Sequence, residues 1–412
     1  MAPGGAEELV LQRHGDRGQA TREVTVAFGV EDVDFLRSEA GVYALREIAA
    51  LPLTSATLVA DIASARARFA ERAPILVETT MLRRRAAVKM SRPDEWLFTD
   101  ESLQQATAEP VAHHRARRLR GLRVHDATCS IGSELAALRD SAALVLGSDI
   151  DPVRLAMARH NVPGVDISRA DALRPITRDG VVVLDPARRS GTRRRFDPRV
   201  YTPPLDELLD AYRGRDTVVK CAPGIDFDAV RRLGFDGEIE VTSLAGSVRE
   251  ACLWSAGLTR SGVRRRASLL DTGEEVTDAE DDDCGVRPVG RWIVDPDGAV
   301  VRAGLVRHYA ARHGMWQLDP DIAYLSGDHL PPGVRGFEVL DEVPFSERRL
   351  RQELSARDVG AVEILVRGAD VDPDGLRPRL RLRGAQPASV VIARIGAKGA
   401  SRTTAFICRP SR

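Results

Sequence analysis

Four short apolar runs in this 412-residue chain each lead into a carboxylate-bearing turn, and those turns hold the residues with the most chemistry to offer. The first is Val124-His125-Asp126-Ala127-Thr128-Cys129-Ser130-Ile131-Gly132-Ser133. It reads as a strand, a tight turn and a helix start. Small residues after Asp126 let the backbone approach a ligand closely. Asp126, at the strand end, can reach a ligand ammonium or order the turn. About 20 residues on, Leu144 to Asp149 forms a second run, and a carboxylate ending a second strand can accept both hydroxyls of an adenosine ribose. Asp149 takes that role and Ile150 would lie against the adenine. Asp151 before Pro152 is a helix N-cap followed by proline at the first helical position. Asp171, in Ser168-Arg169-Ala170-Asp171-Ala172, either meets the adenine amino group or is an ordinary loop carboxylate.

The fourth run, Val181-Val182-Val183-Leu184, ends in Asp185-Pro186. A carboxylate, or a carbonyl held by proline, can accept a hydrogen bond from an amino group and aim its lone pair. Asp-Pro can equally just end a strand. Arg188, Arg189, Arg193, Arg194 and Arg195 follow, and five cations at one edge suit phosphate contacts or a solvated loop. Phe196 or Tyr201 could stack on a base extruded from its neighbours. Lys220-Cys221 ends the next run, where Cys221 is either a thiolate nucleophile or a small buried hydrophobe. Glu250 is a secondary candidate without an assigned role. G-x-G-x-x-G is absent and nothing resembles a P-loop lysine, so dinucleotide and P-loop readings fit worse.

The elements that must position these residues follow from the pattern. From Val30 to about Arg118 apolar residues recur at helix spacing, as in Phe35-Leu36, Tyr43-Ala44-Leu45 and Ile48-Ala49. From Leu122 the texture changes to short continuous apolar strands alternating with helical segments, the mark of a parallel sheet covered on both faces. The fold class is α/β. The acidic segment 271–286 lacks periodicity and is expected to be a loop or linker. A strand at Arg291–Val294 and a helix from about Ala299 to His313 come next. The final unit has strands at Val362–Arg367, Ser389–Ile395 and Thr403–Cys408, and helices at Ser346–Arg357 and Pro373–Arg379. Arg377, Arg379, Arg381 and Arg383 alternate, which on a strand would set them on one face.

Composition excludes several classes. Formal net charge is zero, so the whole-chain average points to neither nucleic acid nor membrane. Five scattered cysteines without a C-x-x-C pair argue against a disulfide framework or zinc site, and no metal is expected. Residues 1 to about 20 read as a tail without a signal-peptide core, and no stretch approaches the roughly 20 apolar residues that span a bilayer. A cytoplasmic protein without a membrane partner is expected.

Asp126-Ala-Thr-Cys-Ser-Ile-Gly-Ser, then Gly-Ser-Asp149-Ile-Asp-Pro with Ala156, Ala158, Arg159, His160 and Asn161 behind it, then Asp171, resembles the class I methyltransferase pattern in order and spacing. The likeness runs from about Phe98 to Trp254. Leu97-Phe98-Thr99 and Gln104-Gln105-Ala106-Thr107 resemble the segment that helps close over the cofactor in RNA-modifying members such as the trimethylguanosine synthases. Asp185-Pro186 resembles the Asp/Asn-Pro-Pro-Tyr turn of base-amine methyltransferases, with Ala187-Arg188 replacing its last two residues. Ser130 stands where the family usually has glycine, and a serine is expected to keep the turn tight at negative φ. Val343-Pro344-Phe345-Ser346-Glu347, Glu363 to Gly368 and Leu380 to Gly384 resemble a THUMP-like domain of a bacterial, often actinobacterial, family. From Phe337 onward 14 basic residues stand against 10 acidic ones, a mild excess that does not by itself make a polyanion binder.

The resemblance implies a Rossmann-like class I methyltransferase domain over 119–270. A tail and helical region (1–118) precede it, and an acidic linker with a connecting strand and helix (271–336) follows. A small THUMP-like α+β domain (337–412) ends the chain. It implies S-adenosylmethionine as cofactor, bound by Phe98, Thr99, Asp126, Thr128, Gly132, Asp149, Ile150 and Asp171. Asp185 and Pro186 would be catalytic, and Arg188, Arg189, Arg193 and Phe196 would meet the substrate. RNA, as tRNA or rRNA methylated on a nucleobase, is the expected acceptor. A small-molecule or protein acceptor, or a binding module without catalysis, are the alternatives.

Overall fold

The computed structural model describes residues 26–188, 200–396 and 401–411. Helices α1 (Val30–Arg37), α2 (Glu39–Ala49), α3 (Leu58–Phe69), α4 (Ala73–Ala86), α5 (Asp100–Gln105) and α6 (Glu109–Arg118) form the helical region. Its core of Leu36, Ile48, Leu76, Leu82 and Phe98 continues onto Ile131, Ala156 and Met157 of the next layer, so the helices are docked on the sheet domain.

Nine strands form the first sheet: β1 (Arg123–Asp126), β2 (Leu144–Asp149), β3 (Asp166–Arg169), β4 (Val181–Leu184), β5 (Thr217–Cys221), β6 (Glu238–Leu244), β7 (Ser247–Trp254), β8 (Arg265–Leu269) and β9 (Glu274–Thr277). Their order is β9-β8-β6-β7-β5-β4-β1-β2-β3. Strands β3, β2, β1, β4 and β5 run parallel, and β7 is antiparallel to both β5 and β6. The strand order therefore reverses between β1 and β4, which opens a crevice beyond their carboxyl ends. Strand β4 is buried throughout because it is covered on both faces. Val181 and Val183 pack with Ala112 and Ala116 of α6, while Val182 and Leu184 pack with Leu205 and Leu208 of the helix Leu205–Ala211.

The segment 271–286 is not simply a loop. Its residues Glu274–Thr277 are β9, which pairs antiparallel with β8; strand pairing supplies order that local composition does not announce. Nor does 271–336 stand apart from the units beside it. Trp292–Val294, Trp316–Gln317 and Leu325–Gly327 join Phe337–Pro344, Val359–Arg367, Gln386–Ile395 and Arg402–Pro410 in one seven-stranded sheet. The helix expected from Ala299 to His313 is two, Gly298–Arg302 and Val306–Arg312, broken at Gly304 with φ +70°. Val300, Leu305 and Tyr309 of this pair pack on Val241, Ala267 and Val276, filling the end of the first sheet. Arg377 and Arg379 lie on the helix Pro373–Leu380 rather than on a strand, so the alternating arginines share no sheet face.

Candidate functional site

The turn after β1 is built against strain. Ser130 sits at φ +48°, not at negative φ, a conformation that costs a non-glycine residue roughly 1–2 kcal/mol. Strain of this kind persists only where surrounding structure over-determines it. Here the Ser130 N–H donates to Asp149 Oδ2 at 2.9 Å, and the Cys129 N–H to the Ser148 carbonyl at 2.9 Å. Gly132, at φ +93°, opens helix α7 (Ser133–Arg139); a Cβ there would meet Val162 Cγ2 at 2.8 Å. Asn161 ends helix α8 (Pro152–Asn161) and clamps this turn to the helical region. Its amide donates to the Ile131 and Leu97 carbonyls at 2.9 and 3.0 Å and accepts from the Leu97 N–H at 2.8 Å.

A first cavity of about 260 Å³ opens at this turn, lined by Asp126, Thr128, Ser130, Asp149, Ile150 and Asp171 among others. Asp149 accepts from the Ser130 and Asp151 N–H groups, one on each carboxylate oxygen, at 2.9 Å each. An ionised carboxylate has about four acceptor sites, so roughly two remain. Ile150 is 63% exposed, an apolar side chain left uncovered at the rim. Asp171 accepts from the Leu173 N–H at 2.9 Å, shaping its own turn. Asp126 Oδ2 and Ser130 Oγ are buried without a hydrogen-bond partner among the described residues. Such groups are costly unless something satisfies them. Burial, then the nearby Glu134 carboxylate, push the Asp126 carboxyl well above the ordinary range.

Phe98 and Thr99 do not reach this cavity. Phe98 is wholly buried in the helical core beside Trp96, and Thr99 caps α5 by accepting from the Ser102 N–H at 3.0 Å. Gly132 acts in packing and does not line the cavity. The segment just after Thr99 takes the expected place: Ser102, Gln105, Ala106 and Thr107 form the wall. A capped one-and-a-half-turn helix carries the chain past the site before releasing these residues into it.

A second cavity of about 690 Å³ lies alongside, lined by Pro186, Cys221, Pro223, Arg249 and Glu250 among others. The two share Gln105, Ala106, Thr107, Asp185, Ala187 and Lys220. Asp185 is thus at their junction. Its N–H donates to Thr128 Oγ1 at 2.6 Å, which ties the β4 turn to the β1 turn. Its Oδ2 accepts from Lys220 Nζ at 2.5 Å. Tyr201 is buried, its hydroxyl accepting from the Ala222 N–H at 2.8 Å, and it contributes only a small exposed area to the wall of the second cavity. Arg189, Arg193 and Phe196 fall outside the described residues, and Arg188 is described only through its backbone, which pairs Ala187–Arg188 with Tyr201–Thr202.

Beneath the junction lies a buried ionic network. Arg115 of α6 holds Glu134 through two bonds of 3.0 and 2.9 Å and also binds Glu250. Lys220 Nζ lies 3.4 Å from Glu134 Oε1 and donates to Thr107 Oγ1 at 2.6 Å. Burial raises the Glu134 carboxyl, but Arg115 and Lys220 outweigh it and hold the group well below the ordinary range. Burial likewise opposes the Lys220 ammonium, and Asp185 and Glu134 more than offset it, so its pKa lies above that of an ordinary lysine. The sequence assigned no role to Arg115, Glu134 or Lys220, and Thr107 entered only within the Gln104–Thr107 segment. Arg115 is one arginine among several and Glu134 stands just after the β1 turn, with no spacing that links them.

A chain of Mycobacterium tuberculosis, described in two strains as an uncharacterized S-adenosylmethionine-dependent methyltransferase, is 69% identical over 357 residues, covering 84% of this chain and all of the relative. This chain belongs to the S-adenosylmethionine-dependent methyltransferases. The profile of the THUMP domain-like family matches residues 334–410 of this methyltransferase. The crystal structure of a Porphyromonas gingivalis protein assigned as a methyltransferase has the same fold, with a TM-score of 0.70 at 19% identity over 93% of this chain and 98% of that one. No helix of the methyltransferase is long and apolar enough to cross a membrane among the described residues, and these contain no group of three or more His, Cys, Asp or Glu able to hold a metal ion.

Proposed function

We propose that this methyltransferase modifies an amine of a nucleobase in RNA, tRNA or rRNA, with Asp185 holding the acceptor. The observation that carries the reading is the position of Asp185 at the junction of the two cavities, anchored through its backbone by Thr128 and through Oδ2 by Lys220. The first cavity fits the cofactor: Asp126 Oδ2 and Ser130 Oγ await partners that an amino acid moiety offers. Asp149 retains acceptor sites for ribose hydroxyls, Ile150 presents an apolar face to adenine, and Asp171 lies on the same wall. When bound, the cofactor supplies a methyl group already activated on a sulfonium.

The protein's own part is orientation. Asp185 Oδ1, which has no hydrogen bond among the described residues, and the Pro186 carbonyl accept from the acceptor N–H and turn its lone pair toward the first cavity. The proton lost from the amine as its bond to carbon forms leaves by the Asp185 carboxylate. Cys221 lines the second cavity but no covalent step needs it.

RNA is favoured by the THUMP domain-like unit, since THUMP domains serve RNA binding in tRNA-modifying enzymes, and by the arginines Arg188, Arg189, Arg193, Arg194 and Arg195 that follow Asp185 in the sequence. Phe196, in the same stretch of sequence, is the aromatic proposed to stack on a base. A small-molecule or protein acceptor is the second reading, favoured by burial of Tyr201. Nucleoside mass spectrometry of total RNA from cells with and without the gene tests the reading; one modified nucleoside should disappear with the gene. Filter binding should show affinity for structured RNA falling with salt at a log-log slope of roughly −0.7 to −0.9 per phosphate contact. An unchanged nucleoside profile with salt-insensitive RNA binding would favour the second reading.

A further inference from the structure

Lys220 is a buried ammonium at a place where strand packing does not ask for one. It lies on β5, whose every residue is buried, and its neighbours Val218 and Val219 are apolar. An apolar side chain of the same length would fill that space without giving up hydration. The ammonium has three donors, and three acceptors surround it: Asp185 Oδ2 at 2.5 Å, Thr107 Oγ1 at 2.6 Å and Glu134 Oε1 at 3.4 Å. Glu134 is in turn gripped by two bonds from Arg115, and Arg115 by Glu250. Charges therefore alternate from buried helix α6 to the open wall: Arg115, Glu134, Lys220, Asp185. Only the last is substantially exposed, its side chain 37% accessible while that of Lys220 is 8%. A half-exposed aspartate can turn among rotamers, and an error of about 1 Å in a transfer step can cost roughly a hundredfold in rate.

We infer that Lys220 is the positioning residue for methyl transfer, fixing the Asp185 carboxylate through Oδ2 so that Oδ1 stays aimed at the acceptor. Thr107 sets the ammonium from the side of the helical region, and Glu134 sets it from α7. This rests on the reading that Asp185 holds the acceptor. It does not depend on the acceptor being RNA.

The test is a double-mutant cycle on the full chain: wild type, Lys220→Met, Asp185→Asn and the double variant. Tritium transfer from labelled S-adenosylmethionine is measured into an unfractionated extract of cells lacking the gene, and the label is assigned to RNase-sensitive, protease-sensitive or acid-soluble material. Lys220→Met should slow transfer about 30-fold or more, while its affinity for S-adenosylhomocysteine by calorimetry stays within about fivefold of wild type. The double variant should be within about threefold of the slower single variant, because the two residues act as one unit. A Lys220→Met rate equal to wild type, or losses that multiply in the double variant, would overturn the inference. Because Lys220→Met leaves Glu134 with one cation fewer, Thr107→Val is run beside it. Thr107→Val keeps all the charges and should slow transfer about three- to tenfold, an effect that vanishes in the Asp185→Asn background. Persistence of its effect in that background also counts against the inference. Label in protein or acid-soluble material would remove the RNA reading and leave the cycle to judge Lys220.

Discussion

Two kinds of buried polarity meet at Asp185, the turn of the first cavity and the ionic network beneath the junction, and they are handled in opposite ways. In the first, Asp126 Oδ2 and Ser130 Oγ are buried and unpartnered, and the turn that presents them is held at a strained φ. In the network beneath the junction, the buried charges are already matched: Arg115 with Glu134 and Glu250, Lys220 with Asp185 and Glu134, with Glu134 on the wall of the first cavity, Glu250 on that of the second, and Lys220 and Asp185 on both. An unsatisfied polar group destabilises the free protein and is relieved by a ligand, which makes the first cavity a place that gains from being filled. A matched network is rigid before anything arrives, so the junction serves to orient. The turn is tuned for affinity and the network for geometry.

The sharpest way to break this contrast is Asp185→Asn. It should lower transfer by about 100-fold or more and change S-adenosylhomocysteine affinity less than about threefold, since the residue acts on the acceptor. Loss of both together, seen by calorimetry beside the rate assay, would mean that turn and network are not divided in this way. Next in size, Asp149→Ala should weaken cofactor binding about 10- to 100-fold, from lost charge-assisted bonds of about 1.5–3 kcal/mol each. Equal calorimetric affinities for this variant and wild type would take Asp149 out of the site.

Asp126 links affinity to protons. Its folded pKa is raised, so the free folded state holds a proton more tightly than the unfolded chain, and stability contributed by that proton is lost as pH rises above the unfolded value. A cofactor ammonium beside it would favour the ionised form, so wherever the free carboxyl still holds its proton, binding should release it. Calorimetry in two buffers of different ionisation enthalpy reads this directly; identical apparent enthalpies would remove the coupling. Asp126→Asn should raise the melting temperature of the cofactor-free protein by about 1–3 °C at neutral pH while weakening cofactor binding several-fold. The smallest effect expected is for Cys221→Ser, which should keep transfer within about threefold. An inactive serine variant, with a covalent protein–RNA adduct in the wild type, would point to carbon methylation instead.

Much of the sheet was legible in advance because a strand buried on both faces must be a continuous apolar run. Val181–Leu184 is a strand to the residue, and the run ending in Lys220-Cys221 is β5. Strand β9 was not, since three of the four residues of Glu274-Glu275-Val276-Thr277 are polar and the segment becomes a strand only by pairing with β8. The turn residues Asp126, Thr128, Asp149, Ile150, Asp171 and Asp185 were legible because each follows its strand within a few residues, and all line the cavities. Phe98 and Thr99 misled: a likeness in the segment before the sheet does not say which side chains turn inward. Four residues later in the same segment, Leu103 is buried, and Gln105 to Thr107 are the ones that reach the wall.

The order of apolar runs, small-residue turns and strand-end carboxylates is local information, and it was enough to determine the α/β fold and the side of the sheet that carries the site. What only the tertiary structure decided is how charge is arranged beneath that site. Arg115, Glu134, Lys220 and Asp185 are separated by 19 to 105 residues and carry no shared spacing. The first three look ordinary alone, a helix arginine, a first-turn acid, a lysine near the end of a strand. Their meaning arises when α6 and α7 pack on one face of the sheet and exclude water, because in a low dielectric an unmatched charge is too costly to persist and its partners must be found across the fold.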